Sequence, residues 1–484
     1  MMPYFADETR LLLTVAVPLI GAFCLPFLGR FFESLRNWTA LLLVLASLAG
    51  SLSLAATVYA GIRPAAGCGS LIFLQADALA VFMAVVATLV AAVIVFYSFD
   101  YIGHHGWRNE YYFMAVLLLG ATMGLVFSRN LIAMYIFWEI TAIACWRLIG
   151  FFREPDCALK ADKAFLFTGF GAAMMLLGFI MIYTETGSFD LEAAKTALRG
   201  KTLSHAAVFL ILIGIFAKSA AAPLHTWLPD AGVAPSPATA LIHAAVLVKI
   251  GVYAYARLFI ATFALPGEWH VWVPQIAAAG ALLSAGAALI EKDIKRIIAF
   301  STVSQIAFIF FGLSVGSPIS AAGGILYFLT HGIAKSGLFL CAGIVVQRTH
   351  ERDITRLGGL LATMPATAIC FLLCAFSVMG IPPFGGFFSK YMVIAGAFGQ
   401  GQKWLGFIFL AGAALTALYL FRVFNLVFLG EPGIAVRDKN PREGSACMVG
   451  SVIFLAALAI AAGLCIQWPA EFVRAAVAQM ECLR

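Results

Sequence analysis

The stretch KSAAAPLHTWLPDAGVAPSPATALIHAAVLVKIGVYAYAR, residues 218–257, decides the fold. It is mostly apolar, yet it carries Lys218, His243 and Lys249 together with Pro223, Pro229, Pro235 and Pro237. Proline removes a backbone donor and clashes with the preceding turn, so a helix that runs into this stretch must break. Broken helix at membrane depth is tolerated where protein buries it or where it lines a wet cavity. A lysine beside such a break marks a candidate ion path through a polytopic membrane protein.

Composition agrees. The chain has 484 residues, of which 62% are hydrophobic and 11% charged. Soluble proteins carry about 25% charged and about 45–50% apolar residues. A chain this apolar is not a cytosolic enzyme, a nucleic-acid binder or a disordered segment. Its net charge of +7 therefore reports which loops stay inside rather than a phosphate-binding surface.

Sliding along the apolar runs gives about fourteen spans, beginning near residues 11, 38, 77, 111, 130, 162, 205, 238, 271, 297, 320, 365, 405 and 448. Each is long enough for a bilayer core of about 30 Å. The first, Leu11–Leu28, follows Asp7 and Glu8 and has no small-residue cleavage site after it, so it is expected to be a retained helix. An even number places both termini on one side. Alternate loops divide the basic residues 15 to 9, which puts the richer set in the cytoplasm and both termini on the outer face of a bacterial or archaeal cytoplasmic membrane. Residues 186–204 read as a short amphipathic segment.

A second break is expected in SVMGIPPFGGFFSKYMV, residues 377–393, at Pro382 and Pro383, just before Lys390. The two breaks fall in the seventh and twelfth spans. A five-helix unit repeated directly after itself is inverted, so spans four to eight and nine to thirteen form two candidate inverted repeats. The expected fold is all-α and polytopic. Its organisation is a three-helix segment (1–110), two half-channel repeats (111–265 and 266–430) and a C-terminal helix (431–484).

Ionisable residues at mid-span carry the chemistry. They are Glu139, Lys218, His243, Lys249, His331, Lys335 and Lys390. A lysine or acid at a helix centre costs about 2.5–3.5 kcal/mol, so Glu139 and the four lysines together cost on the order of 10 kcal/mol. They are expected to face each other or water. A desolvated amine can gain and lose a proton near neutral pH, and a nearby carboxylate favours its charged form. One acid and one base thus make an electrostatic switch, with histidine suited to relay positions. His331 and Lys335, four apart, share a helical face; His243 and Lys249, six apart, do not. Arg147, Arg257 and Arg422 read as snorkelling residues near span ends, and Trp138 as packing. His225, beside the first break, stays open between relay and packing.

Ten cysteines form no CxxC, and only Cys370 and Cys374 stand at helical spacing, so no metal or redox cofactor is expected in this chain. There is no GxxxxGK[ST], no dinucleotide fingerprint and no HExxH, which leaves ATP-driven transport without a site.

The stretches WEITAIACWRLIGF, KSAAAPLHTWLPDAGVAPSPATALIHAAVLVKIGVYAYAR, EKDIKRIIAFSTVSQIAFIFFGL, THGIAKSGLFLCAG and GIPPFGGFFSKYM, in that order, resemble the antiporter-like membrane subunits of respiratory complex I, Mrp-type cation/proton antiporters and membrane-bound hydrogenases. Hydrogenase-4 and formate-hydrogenlyase-type subunits look most similar, with Mrp subunits second. The resemblance implies that Glu139 pairs with Lys218, that Lys249, His331 and Lys335 are relays, and that Lys390 stands at the outlet. It implies cytoplasmic uptake, a polar axis in the membrane plane and exit on the other side. It implies partners: other antiporter-like and small membrane subunits, and peripheral redox subunits holding iron–sulfur clusters and a NiFe site. The chain has room for about one span after Arg422, so the long lateral helix of the largest complex I subunit is not expected. The leading expectation is a proton-translocating subunit of a redox-driven complex. A Na+/H+ antiporter subunit and a non-transporting spacer are the alternatives.

Overall fold

The computed structural model describes residues 2–68, 71–437, 439 and 441–480. Among the described residues, twelve helices are long and apolar enough to cross a membrane, and three shorter apolar helices, His205–Ser219, Pro365–Met379 and Gly385–Gly399, join them. In chain order they are α1 (Asp7–Phe31), α2 (Glu33–Tyr59), α3 (Ala78–Tyr101), α4 (Arg108–Phe127), α5 (Leu131–Ile149), α6 (Pro155–Thr186), α7 (His205–Ser219) and α8 (Ser236–Ile260). Then follow α9 (Trp269–Ile290), α10 (Ile294–Ser314), α11 (Pro318–Thr349), α12 (Pro365–Met379), α13 (Gly385–Gly399), α14 (Lys403–Phe428) and α15 (Ala446–Leu464). Helices α12 and α13 form one interrupted crossing, so these helices make the fourteen crossings expected. The protein is a multi-pass integral membrane protein.

Local chemistry sets the helix starts. Asp77, Asn130, Asp190, Ser204, Asp293 and Ser317 each accept a backbone N–H of the first turn that follows, which satisfies donors a helix end leaves free. The amphipathic segment forms a short helix, Leu191–Ala197. A hairpin of β1 (Ala65–Cys68) and β2 (Ile72–Gln75), antiparallel with Ala65 opposite Gln75, closes the loop before α3.

Both expected breaks are present, and they are built alike. Helix α7 ends on Ala220 at φ +50° and α12 on Gly380 at φ +85°. In each, the next residue donates back five positions, Ala221 to the Phe216 carbonyl (2.9 Å) and Ile381 to the Phe376 carbonyl (3.0 Å). This is the closure that left-handed helix caps use to satisfy free carbonyls. A cis peptide follows each, Ala222–Pro223 and Pro382–Pro383. A second feature also occurs twice: Asn130 bridges Asp190 and Asp293 bridges Asp353, both antiparallel. The first lies after α4 and the second after α9, on opposite ends of the bundle.

Burial is unequal. The apolar window of α8 is wholly buried and that of α11 is 89% buried, against 33% for α1, α2 and α14. The two central helices carry most of the ionisable series, so the bundle surrounds its charges with apolar helices.

Two of the fifteen basic residues assigned to the richer loop set, Lys295 and Arg36, are buried in helices instead. Lys295, counted with the loops, lies in the first turn of α10 and is 4% exposed. Arg36 lies in the first turn of α2 and is 2% exposed, because its guanidinium stacks on Tyr112 at 4.7 Å and donates to Asn109.

Gly386 tests the second break. A Cβ there would collide with the Ser377 carbonyl, which belongs to the backbone and cannot swing away. Overpacking of this kind costs about 1–3 kcal/mol. Gly386→Ala is expected to lower the thermal stability of the detergent-solubilised protein by that amount, whereas Gly450→Ala, which meets open space, leaves it unchanged.

Candidate functional site

Six of the expected residues are buried in the interior. Lys218, His243, Lys249, His331 and Lys335 are wholly buried, and Lys390 is 4% exposed. Each lysine is seated on a main-chain carbonyl. Lys218 Nζ donates to the Trp138 carbonyl of α5 (3.0 Å) and lies 5.4 Å from the Trp138 ring. Lys249 Nζ donates to the Phe328 carbonyl of α11 (2.6 Å). Lys335 Nζ donates to the Ile298 carbonyl (3.1 Å) and the Ser301 hydroxyl (2.5 Å) of α10. Lys390 Nζ donates to the Val378 carbonyl (2.7 Å), in the last turn of α12 before the break, and stands 4.6 Å over the Phe308 ring.

Glu139 departs from the expected geometry. Lys218 is hydrogen-bonded to the carbonyl of the residue before Glu139, and among the described residues no hydrogen bond or ion pair joins it to the Glu139 carboxylate. Glu139 is partly exposed, on a stripe of α5 with Ile136 (41%) and Ile143 (46%). Trp138, expected to be packing alone, supplies both the carbonyl and the ring at the Lys218 seat.

His243 and His331 are buried with neither ring nitrogen hydrogen-bonded to protein. The His243 ring lies 4.8 Å from Phe339, and the His331 ring 5.5 Å from Tyr327. His243 sits in a widened π-helical turn of α8, Leu241–Ala245, a distortion that collects at functional sites. His331 stands one turn before Lys335 on α11. A Cβ on the neighbouring Gly332 would come within 2.5 Å of Lys249 Nζ, so glycine makes room for that ammonium. Among the described residues, no group of three or more His, Cys, Asp or Glu side chains could hold a metal ion.

Several site residues did not stand out in the sequence. Lys295 Nζ donates to the Gly232 carbonyl (3.2 Å) and the Ala234 carbonyl (2.7 Å) beneath the end of the first break. A buried set of Ser301, Gln305, Tyr327, Thr416 and Tyr419 adjoins Lys335. The polar pair Ser301 and Gln305, four apart inside an apolar span, was the available signal.

The three arginines read as snorkelling are instead paired. Arg257 binds Asp77 and the Tyr253 hydroxyl, Arg147 binds Glu110, and Arg422 donates to the Glu291 carbonyl (2.8 Å). His225 is partly buried beside the break, with Nδ1 unpaired. One end of the bundle is tied together by ion pairs. Asp230 accepts from Lys163 (2.7 Å) and Arg296 (2.6 Å), Arg296 reaches Glu291 (2.9 Å), and Arg352 reaches Asp293 (2.8 Å). At the other end Arg129 binds Asp190 (2.7 Å).

The sequence and the fold have counterparts among known proteins. The family described as NADH:quinone oxidoreductase/Mrp antiporter, transmembrane region, matches residues 128–416, more than half of the chain. The chain belongs to that family. It is 36% identical over 389 residues to NAD(P)H-quinone oxidoreductase chain 5 of Synechocystis sp., covering 76% of this chain and 56% of that protein. It is 32% identical over 487 residues to Na(+)/H(+) antiporter subunit A1 of Staphylococcus haemolyticus, covering 93% of this chain and 60% of that protein. The chain thus spans somewhat over half the length of these relatives. Among solved structures, a chain of the membrane-bound sulfane sulfur reductase, an archaeal respiratory membrane complex, superposes with a TM-score of 0.88 at 25% identity, over 98% of this chain and 97% of that one. A chain of the Mrp complex from Dietzia sp. shares the fold, with a TM-score of 0.86 at 23% identity and the same coverage. This member of the family is an antiporter-like membrane subunit with a buried charged interior.

The ion pairs at the two bundle ends carry a pH signature. Burial alone would raise the carboxyls of Asp230, Glu291 and Asp190, but hydrogen bonds from Lys163 and Arg296, from Arg296, and from Arg129 outweigh it and hold them below their ordinary values. A depressed carboxyl adds stability that is complete above its unfolded pKa, near 3.9–4.3, and is lost as pH falls through the lower folded-state value. The melting temperature of the solubilised protein is expected to hold from about pH 7 to about 5 and to drop below about 4. Asp230→Asn should lower stability near neutral pH by about 1–3 kcal/mol and shrink the acid drop, as read by thermal melts across pH.

Proposed function

We propose that this chain moves protons through the membrane arm of a redox-driven ion-pumping complex. The observation that carries this reading is that every buried lysine of the series sits on a neutral carbonyl acceptor, in a bundle that also buries two imidazoles with no protein partner on either ring nitrogen. An amine donates to a carbonyl whether protonated or neutral. Losing its proton therefore strands no counter-charge, as it would if the partner were a carboxylate.

In this scheme the cycle starts at Glu139. A neighbouring membrane subunit covers the half-exposed stripe of α5, and a charge shift there changes the field of Glu139 on Lys218. Lys218 releases its proton into the interior. The proton passes by Lys249 and His243 to His331 and Lys335, and leaves through Lys390. Each step moves one proton between nitrogen atoms or bridging waters, with no change of electron count in this chain. The redox chemistry belongs to peripheral partner subunits with iron–sulfur clusters and a NiFe site. The matching closures at Ala220 and Gly380 and the paired bridges at Asn130 and Asp293 support two inverted five-helix units, 111–265 and 266–430. The basic-loop count supports cytoplasmic placement of the Lys163–Asp230–Arg296 end, with both termini outside.

A second reading, an Mrp-type Na+/H+ antiporter subunit, is favoured by the Staphylococcus relative, which aligns with 93% of this chain. A non-transporting spacer is disfavoured, since the charged series is complete. Neighbouring genes for cluster-binding redox subunits would favour the first reading, and a set of small membrane genes the second.

Lys218→Ala is expected to abolish coupled proton pumping by the assembled complex while leaving its subunit composition normal. An unchanged proton-to-electron ratio would defeat the proposal. Gly332→Ala pushes on the flexible tip of Lys249 rather than on backbone. It should lower pumping several-fold with a melting temperature close to that of the unmodified protein, measured on the same preparations.

A further inference from the structure

A second buried polar chain starts at the Lys335 seat. Lys335 Nζ donates to Ser301 Oγ, and Ser301 Oγ lies 2.6 Å from Tyr419 Oη. Gln305 Nε2 donates to Thr416 Oγ1 (3.2 Å) and, at longer range, to Tyr419 Oη (3.5 Å). Tyr327 Oη donates to Gln305 Oε1 (2.7 Å). The Tyr327 ring lies against His331, and Lys390 Nζ stands 5.9 Å from its centre. Every member from Ser301 to Tyr327 is at least 99% buried. The hydrogen-bonded chain therefore runs from Lys335 to Tyr327, whose ring lies against His331 and 5.9 Å from Lys390 Nζ.

The direction of the central amide is fixed by its neighbours. Thr416 gives its hydroxyl hydrogen to the Gly412 carbonyl (2.7 Å), so it can only accept from Gln305. The amide nitrogen must face Thr416 and Tyr419, and the amide oxygen must face Tyr327. A hydroxyl accepts a proton on the oxygen from which it releases another, so hydroxyls relay protons. An amide nitrogen has its lone pair delocalised into the carbonyl and does not accept a proton. A proton arriving from Tyr419 meets that nitrogen and stops.

We propose that Gln305 is an insulating link: it completes the hydrogen-bond chain between Lys335 and Tyr327 and keeps protons from running along it, so that they must pass by His331. This inference rests on the proton-relay reading above. It assigns Gln305 a positioning role that prevents a bypass of the histidine, a bypass that would let protons leave Lys335 without passing the buried imidazole. The proton that moves leaves an ammonium nitrogen and binds an imidazole nitrogen, and no electron is transferred.

The test uses inverted membrane vesicles carrying the complete complex, with proton flux read by an entrapped pH dye after a potassium–valinomycin pulse. Amounts of complex are matched on native gels. His331→Ala should lower flux at least tenfold. Adding Gln305→Glu, whose carboxyl both takes up and releases protons, should restore at least a third of the unmodified flux. Adding Gln305→His should do the same by a different group. Adding Gln305→Leu, of similar size and unable to carry a proton, should restore nothing. The inference is overturned if neither Gln305→Glu nor Gln305→His raises flux above that of His331→Ala alone, or if Gln305→Leu restores as much. If His331→Ala and Lys218→Ala both leave flux unchanged, it is the relay reading that fails instead.

Discussion

An ammonium in hydrocarbon must find a partner inside the protein. Here the partner is the main chain. Lys218, Lys249, Lys295, Lys335 and Lys390 all donate to backbone carbonyls. A helix carbonyl already accepts one hydrogen bond and has a second lone pair free, so a packed bundle can offer such seats without opening its ladders. The α12 break offers more, because its last carbonyls have no helical donor. That is where Lys390 is held. The apolar exterior, the buried central helices and the close approach of glycine to Lys249 all serve these seats.

The same constraint explains the ends of the bundle. Surface charges there pair with each other rather than with the interior. Asp230, Glu291 and Asp293 bind Lys163, Arg296 and Arg352 and tie α6, the first break, α10 and the segment after α11 into one rim. Lys295 lies one residue from Arg296 but points inward, onto the carbonyls of residues 232 and 234. Adjacent residues on α10 thus serve the rim and the interior. Helical geometry permits this because neighbouring side chains point about 100° apart.

Much of the fold was legible in the residues. Most crossings could be read from apolar run lengths, though α6 begins at Pro155 rather than near residue 162, and the two breaks from Pro223 and Pro382–Pro383, because a bilayer imposes a length and proline removes a donor at a known place. The charged series was legible for the same reason, since an ion at mid-span is expensive enough not to be accidental. Other features were not. The polar set around Gln305 joins residues from α10, α11 and α14, and single serines, tyrosines and threonines in apolar spans carry too little cost to stand out. Arg147, Arg257 and Arg422 looked like snorkelling groups because their partners, Glu110, Asp77 and the Glu291 carbonyl, are distant in sequence.

By itself, then, the sequence determined that the chain crosses the membrane repeatedly, that two helices break and that lysines and histidines lie at depth, since each follows from local composition and the low dielectric of the bilayer. Only the tertiary structure decided what those groups touch. It set Lys218 on the Trp138 carbonyl instead of on the Glu139 carboxylate, left both imidazoles with free nitrogens, and fixed the direction of the Gln305 amide through Thr416. Partners of that kind come from helices packed across the bundle, and no spacing along one helix encodes them.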